Sequence, residues 1–93
     1  MTKYTIKYTT QFKKDYKQAK RQNKNIEYLK TIVALLADGK QLPEKYHDHP
    51  LVGNWKGHRE CHISPDWLLI YKIDEDILIL TMARTGSHSE LFY

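Results

Sequence analysis

Hydrophobic and polar positions alternate at the start of the chain. Ile6 and Tyr8 have polar neighbours, and the stretch from Lys3 to Thr9 is rich in β-branched and aromatic residues. A period of two over a short stretch of this composition predicts a first β-strand.

The pattern then changes to a helical period. Phe12, Tyr16 and Ala19 recur at i, i+4 and i+7, which predicts a helix from about residue 11 to 22 with Thr9 or Thr10 as its N-cap. Residues 23–25 are polar and break this helix. A short polar turn before another periodic segment favours two antiparallel helices.

The second helix is predicted to begin after Asn25 and to end before Gly39. Its apolar face would consist of Ile26, Leu29, Ile32, Val33 and Leu36. From 40 to 50 the chain contains two prolines and no periodicity, so we expect a loop there.

Three further strands are predicted at 55–63, 67–73 and 77–83, separated by turns at 64–66 and 74–76. The order strand, helix, helix and three hairpin-linked strands indicates an α+β fold. We expect one domain, 1–93, in which both helices pack on one face of a mainly antiparallel four-stranded sheet. The opposite face would then be open to a ligand.

Composition and charge favour a folded protein with a polyanionic partner. Hydrophobic residues make up 41% and charged residues 28% of the chain, and the net charge is +4. A lone cysteine, Cys61, cannot form an intrachain disulfide and fits a reducing compartment. No apolar run is long enough for a signal peptide or a membrane span, so we expect a cytoplasmic protein with no membrane association.

Histidine is the residue type that most suggests chemistry. The chain has five, and four of them, His47, His49, His58 and His62, lie within sixteen positions. Histidine exchanges protons near neutral pH, which favours acid/base catalysis. A zinc site from His47, His49, His62 and Asp66 is an alternative, although the spacing matches no standard zinc motif. A solvated loop without chemistry is the third interpretation.

Several short motifs follow one another in the second half of the chain. They are DHPL at 48–51, GNWKGHRE at 53–60, HISPDW at 62–67 and RTGSHSELF at 84–92. In this order they resemble the signature of the YafQ toxins of the RelE/ParE superfamily. The similarity covers almost the entire chain and is strongest from Tyr46 to Phe92. His58 departs from the pattern, because relatives often carry an aromatic residue there, so it need not be catalytic.

The resemblance implies a compact microbial-RNase-like fold and a ribosome-dependent mRNA interferase. It also implies a cognate antitoxin, expected to be a ribbon-helix-helix protein encoded nearby, which wraps and silences the toxin. Operator DNA would be bound only through that antitoxin. The implied site residues are His49, His62, Asp66 and His88 as catalytic groups, Arg84 and Phe92 as RNA contacts, and Trp67 as either a core residue or a base-stacking platform.

These residue types suit RNA cleavage without a cofactor or metal. The ribose 2′-hydroxyl attacks the adjacent phosphate, which requires a base, an acid and a cation. We expect His49, His62 or Asp66 to be the base and His88 the acid. Arg84 can pair with phosphate through two donors, although a surface salt bridge is the plain alternative.

A row of lysines follows the first predicted helix. Lys13, Lys17, Lys20 and Lys24 recur at i, i+4, i+7 and i+11. Such a row is usually a solvated face, and docking on ribosomal RNA is the functional interpretation. Two other functions stay open: a non-catalytic nucleic-acid-binding module, and a co-repressor that acts with the antitoxin on its promoter.

Overall fold

The computed structural model describes residues 2–92. Its strands are β1 (Thr5–Tyr8), β2 (His49–Pro50), β3 (Arg59–Ser64), β4 (Trp67–Asp74) and β5 (Ile79–Gly86). Its helices are α1 (Thr10–Arg21), α2 (Ile26–Ala37) and α3 (His88–Phe92), with 3₁₀ turns at Glu44–Tyr46 and Gly53–Trp55. The predicted α+β class and the order of the main elements are confirmed.

The strands form one sheet in the order β1-β5-β4-β3-β2. β1 pairs with β5 in parallel, and every other neighbouring pair is antiparallel. The sheet therefore has five strands rather than the four predicted. The additional strand, β2, has only two residues and lies inside the segment predicted as a loop, where no alternating pattern is long enough to reveal it.

Side-chain caps explain where the two long helices begin. The Thr9 hydroxyl accepts a hydrogen bond from Phe12 N at 2.9 Å, and it donates one to the Ala83 carbonyl at 2.6 Å. Asn25 Oδ1 accepts from Glu27 N at 3.1 Å. Each cap satisfies a backbone N–H that has no partner within its helix. Thr9 also ties the start of α1 to β5.

The end of α2 requires glycine. Gly39 has a φ of +75°, and a Cβ built there would lie 2.5 Å from Lys3 Cδ. Its N–H donates to the Leu36 carbonyl at 3.0 Å, and that of Lys40 to the Leu35 carbonyl at 3.0 Å. This left-handed cap ends the helix at the predicted position.

Both α1 and α2 cover one face of the sheet, as predicted. The core on that face includes Phe12, Ala19, Leu29, Ile32, Leu36, Cys61, Trp67, Leu69, Tyr71, Leu80 and Met82. The opposite face, predicted to be open, carries a smaller apolar cluster of Leu68, Ile70, Ala83 and Leu91, with Leu51 and Trp55 packed on it. The 51–55 segment and α3 therefore cover part of that face.

Several strand boundaries and one helix differ from the prediction. β3 begins at Arg59, because 53–55 form a 3₁₀ turn, and β5 begins at Ile79 after a turn in which Leu78 has a φ of 54°. The unpredicted α3 is started by a reciprocal cap: Ser87 N donates to Glu90 Oε1 at 2.8 Å, and Glu90 N donates to Ser87 Oγ at 3.2 Å.

Within residues 2–92, none of the helices combines the length and the apolar character that crossing a bilayer requires.

Candidate active site

Four side chains that were predicted to be catalytic lie together on the sheet face opposite α1 and α2. β2 supplies His49, β3 supplies His62, the β3–β4 turn supplies Asp66 and α3 supplies His88. The ring centroid of His62 lies 6.5 Å from that of His49 and 5.9 Å from that of His88. His62 is thus the central member of the group.

Sequence analysis missed a fifth member, Glu60. It is only 4% exposed, and its Oε1 lies 3.5 Å from His49 Nε2 and 3.4 Å from His62 Nε2. Glu60 and His62 share a face because they are two residues apart on β3, and His49 is the cross-strand partner of Glu60. The i, i+2 spacing was a usable signal, whereas the pairing with β2 was not visible in the sequence.

Asp66 and His88 form a second pair at the edge of the site. Asp66 Oδ1 lies 3.6 Å from His88 Nδ1 and accepts a hydrogen bond from His88 N at 3.4 Å. The Phe92 ring is exposed and lies 6.1 Å from the His88 ring. Asp66 therefore contacts one nitrogen of His88 and leaves Nε2 available to a substrate.

An ionic network fixes the segment that carries His49. Asp48 accepts hydrogen bonds from the Tyr71 hydroxyl at 2.6 Å and from Arg59 Nε at 3.2 Å, and its Oδ2 lies 3.2 Å from Arg59 Nη2. Burial and the Asp48 carboxylate raise the pKa of Tyr71, so the hydroxyl remains a donor at neutral pH. The network ties this segment to β3 and β4.

The two remaining histidines of the cluster have different surroundings. His47 has a φ of 49°, and its ring centroid lies 5.6 Å from that of His62. His58 instead packs its ring edge-on against Trp55 at 5.2 Å. His47 is thus next to the site, whereas no contact joins His58 to the other histidines.

Two of the predicted RNA contacts lie elsewhere. Arg84 Nε and Nη2 donate to the Asp15 carboxylate at 3.1 and 3.0 Å, which makes the guanidinium part of an ion pair between β5 and α1. The hydrogen bond that Arg84 donates to Asp15 raises the pKa of Arg84. Trp67 is 2% exposed and belongs to the helix-side core, so its ring presents no open face to a base.

The four lysines of the predicted row do not all lie on one surface. Lys13, Lys17 and Lys20 border an apolar groove between α1 and α2 with a volume of about 740 Å³. Lys24 follows the end of α1, and its Nζ lies 5.7 Å from the centroid of the Trp67 ring. Three of the four lysines therefore share a surface.

His49, Glu60 and His62 could hold a metal ion, since their ligand atoms all lie within 4.8 Å of one another. His49 Nδ1 lies 3.1 Å from the Pro50 carbonyl oxygen, which leaves Nε2 free to act as a ligand. The composition differs from the zinc set considered from the sequence, because Glu60 is a member and His47 and Asp66 are not. The same atoms can therefore serve proton transfer or metal binding.

Comparison with known proteins identifies the family. Residues 4–93 match the family described as "Bacterial toxin of type II toxin-antitoxin system, YafQ". A relative from Escherichia coli K12, named mRNA interferase toxin YafQ, is 43% identical in an alignment of 93 residues that covers 99% of this chain and 99% of the relative. The chain belongs to the YafQ family of bacterial toxins.

Solved structures agree with this assignment. YafQ in the E. coli DinJ-YafQ toxin-antitoxin complex superposes with a TM-score of 0.90 at 42% identity, covering 98% of this chain and 99% of that one. A metal-bound toxin from Helicobacter pylori also superposes with a TM-score of 0.90 at 42% identity, covering 99% of this chain and 100% of that one. The fold is thus that of YafQ toxins.

Proposed function

We propose that the chain is a ribosome-dependent endoribonuclease that cleaves mRNA in the ribosomal A site by metal-independent acid/base catalysis and so inhibits translation. The observation that carries the proposal is the position of His62 between two carboxylate-supported histidines, His49 beside Glu60 and His88 beside Asp66. An E. coli relative with 43% identity is named an mRNA interferase, which supports the same substrate class.

The proposed reaction uses one histidine at each end of the scissile bond. His62 removes the proton of the ribose 2′-hydroxyl, whose oxygen attacks the adjacent phosphorus. The bond between phosphorus and the 5′-oxygen breaks, and His88 Nε2 donates a proton to that oxygen. The products are a 2′,3′-cyclic phosphate and a free 5′-hydroxyl. General acid and base groups together contribute large factors to such reactions.

Carboxylates position these histidines in the proposal. Glu60 is nearly buried beside His49 and His62, and it favours the imidazolium that forms when a proton is taken up. Asp66 contacts Nδ1 of His88 and thereby directs Nε2 toward the leaving oxygen. His49, on the other side of Glu60 from His62, is available as a hydrogen-bond donor to the phosphate oxygens.

Arg84 and Phe92 remain the proposed RNA contacts. Phe92 is exposed next to His88 and can pack against the ribose or base that follows the cleaved bond. Arg84 can reach phosphate only if the RNA competes with Asp15 for the guanidinium. We therefore assign Phe92 the direct role and expect Arg84→Ala to affect stability as well as activity.

Ribosome binding is assigned to Lys13, Lys17 and Lys20. These lysines lie on one surface away from the histidines, where they can contact ribosomal phosphates. Replacing all three with Gln should weaken ribosome binding and lower the slope of its logarithmic salt dependence by roughly 2 to 3, since each phosphate contact contributes about 0.7 to 0.9. A control that changes Lys7, Lys40 and Lys72 to Gln carries the same charge change and should leave the slope unaltered.

A cognate antitoxin is the proposed regulatory partner. The E. coli relative has been crystallised with the antitoxin DinJ, and this fold leaves the histidine cluster accessible for blocking. We propose a ribbon-helix-helix antitoxin, encoded nearby, that supplies the DNA-reading element of a promoter-binding complex. The toxin itself would act in the cytoplasm and bind operator DNA only through this partner.

Cell-free translation with the purified chain tests the proposed activity. The parent should cleave ribosome-bound mRNA and leave cyclic phosphate ends, whereas His62→Ala and His88→Ala should cleave at least 100-fold more slowly. Naked mRNA of the same sequence should remain intact. Binding without cleavage, unchanged in both variants, would instead identify a non-catalytic nucleic-acid-binding module.

A further inference from the structure

A second recess adjoins the histidine cluster at His62. Its volume is about 810 Å³, within the range of ligand sites in proteins. The lining residues are Tyr28, Lys45, Tyr46, His47, His62, Ile63, Ser64 and Pro65. His62 is the member that the recess shares with the proposed catalytic group, so a substrate at His62 extends directly into it.

The wall of the recess is well fixed. Tyr46 closes the 3₁₀ turn, with its N–H bonded to the Pro43 carbonyl at 3.1 Å, and its partly buried side chain packs against the main core. His47 N donates to the Glu44 carbonyl at 3.0 Å. Asp48 then anchors the chain to β3 and β4. A ligand would therefore meet a preformed surface rather than a loop that has to be ordered.

The chemistry of the wall fits a nucleotide. Lys45 Nζ lies over the face of the Tyr46 ring, 5.1 Å from its centroid, and this exposed side chain has to swing aside for a base to stack there. Tyr28, which is 56% exposed, supplies a second phenol from α2. The eight lining residues include one lysine, Lys45, and no carboxylate, although the Glu60 carboxylate lies 3.4 Å from His62 Nε2. Aromatic faces stack nucleobases, and an adjacent lysine can neutralise a phosphate.

We propose that this recess is a nucleobase subsite, in which a base adjacent to the scissile phosphate stacks on Tyr46 while Lys45 contacts its phosphate. The proposal rests on the proposed ribonuclease function, because it places RNA on His62. It assigns to the 44–47 segment a role in base preference that is separate from proton transfer. A peptide segment of the antitoxin is a different occupant, and the test distinguishes it.

The test compares Tyr46→Leu, Tyr46→Phe and the parent on ribosomes with A-site codons that differ at single positions. Loss of one stacked base costs roughly 5- to 150-fold in affinity, so Tyr46→Leu should raise KM within that range and flatten the preference at one codon position. Tyr46→Phe retains the ring and should restore most of the affinity. Lys45→Gln should weaken all codons equally, unlike the control Lys72→Gln, whose lysine is exposed on β4.

Direct binding gives a readout that does not depend on cleavage. RNA with a 2′-deoxy residue at the cleavage site and 2-aminopurine at successive positions should lose fluorescence at one position when it binds the parent. Tyr46→Leu should abolish that loss, and thermal melting establishes whether the variant is folded. If it is not, Tyr28→Ala, which changes an exposed side chain on the same recess, provides the second variant and should also reduce the fluorescence change.

The outcomes separate the two proposals. Cleavage by the parent together with unaltered KM, codon preference and fluorescence in Tyr46→Leu and Tyr28→Ala would overturn the subsite. Loss of antitoxin binding in these variants, with RNA binding intact, would overturn it in favour of a peptide site. Absence of cleavage by the parent would instead remove the ribonuclease function itself.

Discussion

The hydrogen bond between Tyr71 and Asp48 helps to hold the segment that carries His49. Its contribution to stability and activity can be measured without changing a proposed catalytic residue. Tyr71 is 1% exposed, and its hydroxyl lies 2.6 Å from Asp48 Oδ1. Asp48 follows His47 and precedes His49, so the bond holds the backbone between two histidines. Tyr71→Phe removes one oxygen from the core and leaves the ring in place.

The magnitude follows from the surroundings of Asp48. A hydrogen bond to a charged group contributes about 1.5 to 3 kcal/mol. Asp48 keeps its contacts with Arg59 in the variant, and its side chain is 21% exposed, so water can replace the lost donor. We therefore expect Tyr71→Phe to lower the free energy of unfolding by about 1.5 kcal/mol, the lower end of this range. At about 4 to 8 °C for each kcal/mol in a domain of this size, Tm should fall by roughly 6 to 12 °C.

Urea denaturation and single-turnover cleavage are the assays. Tyr71→Phe should lower the midpoint without changing the slope, and misplacement of His49 should reduce cleavage by about 10-fold or more where the protein is still folded. Asp48→Asn and the double variant complete a cycle with an expected coupling of about 1 to 2 kcal/mol. Strictly additive effects, or full activity in Tyr71→Phe, would refute this account of how the site is held.

Three other predictions address protonation, metal and the last helix. Burial raises the pKa of Cys61 to about 12, so iodoacetamide at pH 8 should label the thiol only in denaturant, and rapid labelling of the native protein would contradict its placement. EDTA should leave mRNA cleavage unchanged, whereas added Zn²⁺ should inhibit cleavage by binding His49 and His62. If EDTA inactivates the protein and Zn²⁺ restores its activity, metal independence is refuted. Hydrogen bonding to Ser87 N lowers the pKa of Glu90, so its stabilisation is present above the ordinary value of 4.5 and is lost as pH falls through the lowered pKa. Glu90→Gln should therefore cost about 0.3 to 1 kcal/mol at pH 7 and progressively less as the pH falls below 4.5, as measured by urea denaturation across this range.

Local patterns predicted the long elements well because local interactions determine them. The period of Phe12, Tyr16 and Ala19, the Asn25 cap and Gly39 all act within a few residues. The two-residue β2 has no such signal, since only its partner on β3 defines it. The short α3 does have a local signal in the sequence, the Ser-x-x-Glu cap that begins at Ser87.

The sequence indicated most of the residues that come together in the candidate site, but fewer of the contacts that they make. The motif resemblance indicated His49, His62, Asp66 and His88, and the fold brings them together. The i, i+2 spacing from His62 placed Glu60 on the same strand face, but its contact with His49 depends on the β2–β3 pairing, which the sequence does not show. Arg84 and Trp67 matched family positions, yet the Arg84 ion pair depends on Asp15, 69 positions away in the sequence, and the burial of Trp67 depends on the packing of the helix-side core.

The parallel pairing of β1 with β5 has a consequence for how the toxin is made. β5 is the strand between β1 and β4, and Thr5 pairs with Ile79. The first strand therefore cannot pair until a strand more than seventy residues later has been synthesised. Contacts of this sequence separation close slowly during folding. During translation the nascent toxin is therefore expected to lack a complete sheet. Of the four predicted catalytic residues, His88 is synthesised last. The site can therefore form only after most of the polypeptide has left the ribosome that made it.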